Sequence, residues 1–142
     1  MCGRSDRMFK VENCGIWISQ AGCVTPLHYD LCHGFMNQIQ GRKRVTMFDP
    51  DDYRYLYMRS PNQSNSQSSN ADVMKWYQGD PEERAKHPLL KNADWYQIDL
   101  YPGDMLYIPP FHWHHVESLD DSITTLIPWD PSSDEPLHPM AY

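Results

Sequence analysis

The apolar positions of this chain fall into eight short segments, and none of them shows a sustained helical period. β-Branched and aromatic residues dominate these segments, and turn residues such as Pro102 and Gly103 separate them, which predicts strands. Eight short and mostly consecutive strands predict a mainly all-β fold, a double-stranded β-helix or jelly roll. The predicted strands are residues 15–20, 24–30, 34–40, 43–48, 95–101, 104–108, 113–118 and 123–127.

Two local signals refine this pattern. Residues 34–40 and 43–48 are separated only by Gly41 and Arg42, which predicts a hairpin between those strands. Asp49 and Pro50 then favour a short helical turn, because an aspartate caps free backbone N–H groups and proline suits a first helical position. We expect this turn to run through residues 53–58.

The strand pattern is lost between residues 59 and 94. Residues 59–70 are a polar, low-complexity loop for which we expect nothing to bury. Scattered apolar residues and helix formers in residues 71–94 predict one or two short helical turns. A chain of 142 residues is long enough to bury a core without cross-links. We therefore expect a single domain, 1–142, with a core at 14–129 and an insertion at about 59–94.

The composition excludes some classes of partner. A formal net charge of −7 argues against nucleic acid. The sequence has no apolar run near the roughly 18 residues of a membrane span. It shows neither a signal peptide nor a C-x-x-C pair, which favours reduced, buried or semi-buried thiols in a cytoplasmic or nuclear protein. The four cysteines are Cys2, Cys14, Cys23 and Cys32.

The candidate chemistry begins at His28 and Asp30. Pro26 biases the residue before it, Thr25, toward an extended conformation. In an extended run His28 and Asp30 share one face, and Tyr29 takes the other. An imidazole and a carboxylate side by side are two ligands of a first-row cation such as Fe(II), and a second histidine would complete a facial triad.

Residues 111–116 offer three histidines for that position. Alternation puts His112 and His114 on one face and His115 on the other. The residues alone do not choose among the three.

Three stretches, in order, resemble the JmjC-type branch of the cupin superfamily and within it the asparaginyl hydroxylases that act on hypoxia-inducible factor. They read TPLHYD, GFMNQIQGRKRVTMFDP and YPGDMLYIPPFHWHHVESL, and the resemblance covers roughly residues 14–58 and 95–129. It implies a cupin-like fold and selects the histidine after Trp113, His114, as the metal ligand beside His28 and Asp30. His115 then packs outside the site, and His112 lies at its rim.

The resemblance also implies a reaction. Family members with this triad use Fe(II), O2 and 2-oxoglutarate, with the triad as the catalytic and metal-binding residues. Lys43 and Thr25 match the positions that bind 2-oxoglutarate. The implied function is a 2-oxoglutarate-dependent dioxygenase that hydroxylates a protein side chain or a similar polar substrate. The other histidines, namely His33, His87 and His138, are interpreted as surface or structural residues.

Two departures keep other functions open. Gly34 stands where the asparaginyl hydroxylase has an asparagine near the metal, and the last strand has no asparagine either. These differences would suit a non-catalytic JmjC-like module that binds metal and interacts with partners. Another metal-dependent cupin is the third possibility, although such proteins more often use a glutamate ligand and have no need of Lys43.

Two further expectations concern the surroundings of the site. A buried lysine is costly unless it is paired, so we expect Trp17 or Tyr29 to close the pocket around Lys43. Long insertions on a rigid scaffold often carry specificity. We therefore expect residues 59–94 to border the mouth of the metal site, with Trp76 and Tyr77 as contacts, because aromatic side chains give large contact areas.

Overall fold

The computed structural model describes residues 14–135 and contains all eight predicted strands. They are β1 (Gly15–Ser19), β2 (Val24–His28), β3 (His33–Gln40), β4 (Lys43–Phe48), β5 (Trp95–Leu100), β6 (Met105–Ile108), β7 (Trp113–Ser118) and β8 (Ser122–Trp129). Between β4 and β5 lie the helices α1 (Val73–Gln78) and α2 (Pro81–Lys86), with 3₁₀ helices at Pro50–Tyr55 and Pro88–Asn92. In this described part, no helix has the length and apolar character needed to cross a membrane.

The strands form two four-stranded antiparallel sheets. One sheet has the order β1-β8-β3-β6 and the other β2-β7-β4-β5. The chain passes repeatedly from one sheet to the other, which is the double-stranded β-helix that the strand pattern predicts. The predicted fold class is therefore confirmed.

The predicted hairpin between β3 and β4 is wrong. β3 pairs with β8 and β6, whereas β4 pairs with β7 and β5, so the two strands belong to different sheets. Gly41 lies at the crossing point with φ 68°, and a side chain there would collide with the backbone of Asp121. The turn residues predict correctly that the chain reverses at this point. They do not predict pairing, because β3 lies between β8 and β6 in one sheet and β4 lies between β7 and β5 in the other.

The register of the second sheet defines an inner face. His28 lies opposite His114, which lies opposite Met47 on the other side. Residues directly opposite one another in a sheet point to the same face. The row of Lys43 and Ser118 has the same orientation, since it is an even number of residues away. The inner face packs against the first sheet through a small apolar cluster of Val45, Met47, Leu100, Ile108 and Val116.

An irregularity in β2 places two predicted site residues on that inner face. Thr25 and His28 are three residues apart, so strict alternation would put them on opposite faces. The register shifts between them, and they lie opposite Val116 and His114, which share a face. A bulge on an edge strand next to a proline, here Pro26, is a common way to redirect a side chain.

The outer face of the same sheet carries the larger core. Phe48 and Trp113 lie opposite each other, and neither has any measurable exposure. The insertion covers them, so the helices pack on the outside of the barrel. The buried cluster consists of Leu27, Tyr29, Phe48, Leu56, Ala71, Val73, Leu90, Ala93, Phe111 and Trp113.

The loop at residues 59–70 does bury part of itself, contrary to expectation. The Tyr29 N–H donates to the Gln67 carbonyl at 3.0 Å, and the Ser69 N–H donates to the Leu27 carbonyl at 2.9 Å. The buried hydroxyl of Ser69 donates to the Leu56 carbonyl at 2.6 Å. The two backbone hydrogen bonds satisfy the free edge of β2. The polar composition of the loop does not reveal this pairing.

Local capping explains the short helices. The carboxylate of Asp72 accepts a hydrogen bond from the Lys75 N–H, and that of Asp80 accepts one from the Glu83 N–H. The expected helices of residues 71–94 are thus present, with one additional 3₁₀ helix. The predicted turn after Asp49 is also present, but it is a 3₁₀ helix that ends at Tyr55 rather than at residue 58.

Candidate metal centre

The structure brings His28, Asp30 and His114 together. One ligand atom from each lies within 4.8 Å of the others. The His114 Nε2 is 3.7 Å from an Asp30 carboxylate oxygen, and the imidazole centroids of the two histidines are 4.2 Å apart. His28 and His114 meet because they are register partners on β2 and β7, and Asp30 follows two residues beyond the end of β2.

Backbone carbonyls orient both imidazoles. The Nδ1 of His28 lies 2.9 Å from the carbonyl of Pro26, and the Nδ1 of His114 lies 2.9 Å from the carbonyl of His112. A carbonyl only accepts hydrogen bonds, so each Nδ1 must carry the proton and donate it. Each Nε2 then keeps its lone pair for a cation, an arrangement that is typical of metal-binding histidines.

The electrostatics of His114 favour the same state. Burial, reinforced by the neighbouring His28, lowers the pKa of His114 to about 4, although Asp30 opposes this effect. The ring is therefore neutral at neutral pH, as a metal ligand must be. Two imidazole nitrogens and one carboxylate oxygen suit a first-row divalent cation. Because the Asp30 side chain is 35% exposed, one side of the set remains open.

Phe111 connects the loops that carry the ligands. Its N–H donates to the Asp30 carbonyl at 2.8 Å, and its backbone has φ 64°, in the left-handed region. A bulky residue rarely adopts that conformation. Packing holds it there, because the buried Phe111 ring contacts Tyr29, which in turn meets Trp113 edge-on. The loop after β2 is thereby tied to the loop before β7.

The two histidines beside His114 lie where the resemblance implies. His115 points to the outer face, opposite Thr46, and is buried there. His112 is half-buried near His114, and its Nδ1 has no hydrogen-bond partner within the described residues.

The remaining histidines have structural surroundings. His33 is buried between the Tyr107 hydroxyl and the Glu135 carboxylate, each 2.7 Å away, and it stacks on the ring of Trp129. His87 lies 2.7 Å from a carboxylate oxygen of Glu83. His138 is outside the described residues.

Lys43 lies on the same inner face as the triad. It is only 6% exposed, and no described residue accepts a hydrogen bond from its ammonium group or forms an ion pair with it. Burial lowers the pKa of Lys43, and the charge of a Cys23 thiolate opposes that shift. A buried cation without a counter-ion is costly. The position is therefore suited to an anionic group that the described residues do not supply.

Thr25 shares that face but is exposed. Its partner in the register, Val116, is buried, whereas β2 is the edge strand of its sheet, and the exposure lies along this edge, the open flank of β2. The threonine hydroxyl is thus accessible to a ligand in the barrel.

A cluster of hydroxyl groups lies beside Lys43, and sequence reasoning missed it. Ser118 is the register partner of Lys43, and its hydroxyl lies 2.8 Å from that of Ser19, which is 3.0 Å from that of Ser122. Serine is usually an exposed residue, and these three belong to no motif. No signal in the sequence would have found them.

The aromatic residues expected near the pocket lie elsewhere. Tyr29 belongs to the outer cluster and does not close the pocket around Lys43. Trp17 lies on β1 with its ring against Gly15, and it is 49% exposed. Hydroxyl and aliphatic groups border Lys43 instead.

The expected contact residues Trp76 and Tyr77 are also placed away from the metal. The Tyr77 ring packs against Phe48 and, at 4.8 Å between centroids, against Trp95, on the outer face. The expectation that they border the mouth of the site is therefore wrong. Within the insertion, Ser68 does lie beside the site, because it bridges to His28.

The expectation of buried thiols holds for one described cysteine in part. Cys32 is partly buried, whereas Cys14 and Cys23 are exposed, and all three are free. Cys2 lies outside the described residues.

Comparisons with known proteins show the family of the chain. A family model described as a cupin-like domain matches residues 5–135. The JmjC domain-containing protein D of Dictyostelium discoideum is 38% identical over 126 residues, which are 87% of this chain and 27% of that protein. Lysine-specific demethylase 8 of Danio rerio is 32% identical over 117 residues, which are 80% of this chain and 26% of that protein.

A solved structure shares the fold. The ribosomal oxygenase YcfD of Escherichia coli, in complex with cobalt and 2-oxoglutarate, superimposes with a TM-score of 0.51 at 18% identity. The match covers 86% of this chain and 24% of that one. The chain thus spans about a quarter of the length of each of these three proteins. Because the family model covers nearly all of the sequence, the chain belongs to the cupin-like, JmjC-type domain family.

Proposed function

We propose that this domain is an Fe(II)- and 2-oxoglutarate-dependent oxygenase that hydroxylates a protein side chain or a similar polar substrate. The observation that carries the proposal is the combination, on one inner face, of the His28–Asp30–His114 set with the buried Lys43, whose ammonium group has no partner among residues 14–135. A site for a metal alone would not require a buried cation nearby. A site for a metal and an anionic co-substrate requires both.

The triad would hold the iron through the two Nε2 atoms and the carboxylate of Asp30, leaving the remaining positions for small ligands. When bound, iron and 2-oxoglutarate supply the oxidising chemistry that inserts an oxygen atom from O2 into a C–H bond. The chain contributes orientation. Pro26 and His112 hold the imidazoles through their carbonyls, and Phe111 holds the Asp30 loop.

Lys43 and Thr25 would hold the co-substrate. A charge-assisted hydrogen bond from the ammonium group to a carboxylate is strong in a buried site. The Lys43–Ser118 row lies four residues from the row of Met47 and His114, or roughly 13 Å along the strand. A lysine side chain and a small dicarboxylate span that distance between them. The accessible hydroxyl of Thr25 lies in the row between the two.

Two observations support a macromolecular substrate. The side chain of Asp30 is 35% exposed and Thr25 is exposed, so both the metal ligands and the proposed co-substrate site are accessible from solvent. The relatives named above include a lysine-specific demethylase and a ribosomal oxygenase. Both names indicate large substrates, which favours a side chain of a protein.

The test is the release of succinate from 2-oxoglutarate in the presence of Fe(II), ascorbate and O2. Wild-type protein should release succinate slowly without any other substrate, and His114→Ala should abolish the release. His115→Ala is the matched control, because the imidazole of His115 is next to His114 in the chain but points to the opposite face of the sheet. We expect it to retain turnover wherever it remains folded. Succinate formation that persists in His114→Ala would refute the proposal.

One observation favours a second candidate, a non-catalytic module that binds metal and interacts with a partner. A Cβ atom added at Gly34 would lie 3.0 Å from a methyl group of Leu126. An aliphatic side chain thus fills the space where the resembling hydroxylase has an amide. Intact metal binding without any succinate formation would support this second candidate over the oxygenase.

A further inference from the structure

The thiol of Cys23 lies in the same row of the sheet as Lys43. The Ser118 N–H donates to the Cys23 carbonyl at 2.9 Å, and Ser118 is the register partner of Lys43 on its other side. Cys23 directly precedes β2, and its side chain is close enough to Lys43 for its charge to act on the ammonium group. Cys23 is exposed, and it lies in the connection between β1 and β2, where the open flank of β2 begins. The row therefore holds a reachable thiol and a buried ammonium group.

The ammonium group is an independent indication of a ligand. Lys43 is only 6% exposed and has no acceptor or ion-pair partner within the described residues. Cys23 is near enough that its thiolate form would stabilise the charged form of Lys43. An anion that approaches the thiol through the open flank consequently meets a positive charge.

The other described cysteines have different surroundings. Cys32 is partly buried, and burial together with Asp30 and Asp130 raises the pKa of its thiol. An anion near Cys32 would meet negative charge. Cys14 is exposed at the start of β1. The chain thus contains its own controls for the effect of local charge.

We propose that Cys23 is a covalent modification site for small anionic disulfides, with Lys43 as the group that recognises their negative charge. In the exchange, the Cys23 thiolate attacks one sulfur of the disulfide, and a new S–S bond forms as the original one breaks. The departing thiolate takes up the proton that Cys23 released. Cys23 is oxidised to a mixed disulfide, and half of the reagent is reduced to a thiol.

This inference goes beyond the oxygenase function and does not depend on it. If Lys43 also binds 2-oxoglutarate, the adduct and the co-substrate would compete for one ammonium group. Modification would then lower the affinity for 2-oxoglutarate, and a reducing agent would restore it.

The test compares disulfides of different charge on the full chain. The probes are dithiobisnitrobenzoate, which carries two carboxylates, and the neutral dithiodipyridine, and peptide mapping assigns each adduct to a cysteine. A unit charge several ångströms away in a partly solvated site changes a rate by about threefold to tenfold. We therefore expect the ratio of anionic to neutral rates to be about threefold to tenfold higher at Cys23 than at Cys14, and lowest at Cys32.

Variants of Lys43 test whether its charge causes the preference of Cys23 for anionic disulfides. Lys43→Met should reduce the ratio at Cys23 to that at Cys14, and Lys43→Arg, which keeps the charge, should preserve it. Added salt should weaken the preference by screening. An equal ratio at Cys23 and Cys14, or a preference that survives in Lys43→Met, would overturn the proposal.

A competition experiment separates this proposal from the proposed function. Succinate should slow modification at Cys23 and leave Cys14 unchanged. A charge preference without protection by succinate would support the assignment of Cys23 and would count against the dicarboxylate site at Lys43.

Discussion

The two faces of the sheet β2-β7-β4-β5 use alternate residues of the same strands and bury different chemistry. On β7, Trp113 faces outward into the large apolar cluster, and its neighbour His114 faces inward to the metal ligands. On β4, Phe48 faces outward and Lys43 inward. Both faces bury apolar residues, but the inner face also buries the polar side chains of Lys43 and His114.

The difference separates the source of stability from the site of the chemistry. Burial of apolar area stabilises the fold by roughly 25 cal/mol per Å², and the outer cluster contains the largest buried side chains of the described chain. The inner face contains the smaller apolar cluster together with a neutral imidazole and an ammonium group that no described residue pairs, and each of these two polar groups costs free energy to bury. The helical insertion thus supports the site indirectly, by covering the opposite face.

The largest effect on stability is expected from the outer face. Trp113→Ala should destabilise the domain by about 3–5 kcal/mol, because it removes a fully buried indole and leaves a cavity. That is a large part of the total stability of a small domain. Denaturant titration checks this, with Trp95→Ala as the control, since Trp95 is 41% exposed. Equal losses in both variants would contradict the division between the faces.

On the inner face, the largest effect is expected on metal binding. Asp30→Ala should weaken the binding of Co(II) or Fe(II) by more than about 100-fold, because changing even a residue that only supports a ligand typically costs 10–100-fold. The apoprotein should keep its melting temperature, since Asp30 is partly exposed and outside the apolar clusters. Calorimetric titration measures the affinity. Glu117→Ala, on the outer face of β7, should bind metal normally.

A smaller effect is expected from replacing Lys43, and it should raise the stability of the protein while weakening ligand binding. Lys43→Met should stabilise the apoprotein at neutral pH by about 1 kcal/mol or more, because it removes an unpaired buried charge. It should also weaken 2-oxoglutarate binding more than iron binding. Thermal melts and ligand titrations check both effects. A loss of stability in Lys43→Met would mean that the lysine serves the fold.

The pH dependence follows from the direction of the Lys43 shift. Burial holds the pKa of Lys43 below its ordinary value of 10.5. Between the two pKa values the unfolded chain binds more protons, so the wild-type protein gains stability as the pH rises through that interval. The gain in unfolding free energy of Lys43→Met over the wild-type protein should therefore be greatest below the pKa that Lys43 has in the folded state, and it should shrink as the pH rises toward 10.5.

The strands and the convergence of His28, Asp30 and His114 were predicted correctly from the sequence, for a physical reason. Strand alternation is local. Within a strand, the positions of the apolar neighbours therefore indicate to which face His28, His114 or Lys43 points. The resemblance added the choice of His114 over His112. No local pattern reports which strands become neighbours, and so the pairing of residues 34–40 with 43–48 was predicted wrongly.

The failures concern contacts between distant segments. Tyr29 was expected to close the pocket around Lys43, and Trp76 and Tyr77 were expected to border the site because aromatic side chains give large contact areas. They pack on the outer face instead, because the insertion covers that face. No periodicity in the sequence predicts which face the insertion covers. Ser69 was assigned to a loop with nothing to bury, yet it satisfies the edge of β2. Such edge pairing uses backbone groups, which carry no sequence signal.

The smallest effect is expected where the insertion turns back toward the site. Residues 60–66 form the exposed tip of this loop, and residues 67–69 pair with β2 beside His28. Replacing residues 60–66 with a short glycine–serine linker should change the stability by less than about 0.5 kcal/mol, as is usual for surface changes. Metal affinity and succinate formation should also remain unchanged.

Ser69→Ala, in contrast, should cost about 1 kcal/mol or more, because it leaves the buried Leu56 carbonyl without this donor and removes the acceptor of the Ala71 N–H. Hydrogen exchange at the Tyr29 amide, which donates to Gln67, reports whether the edge of β2 has opened. Faster exchange in Ser69→Ala than in the linker variant would show that the insertion acts on the site through this edge. Equal exchange in the two variants would show that covering the outer face is the whole contribution of the insertion.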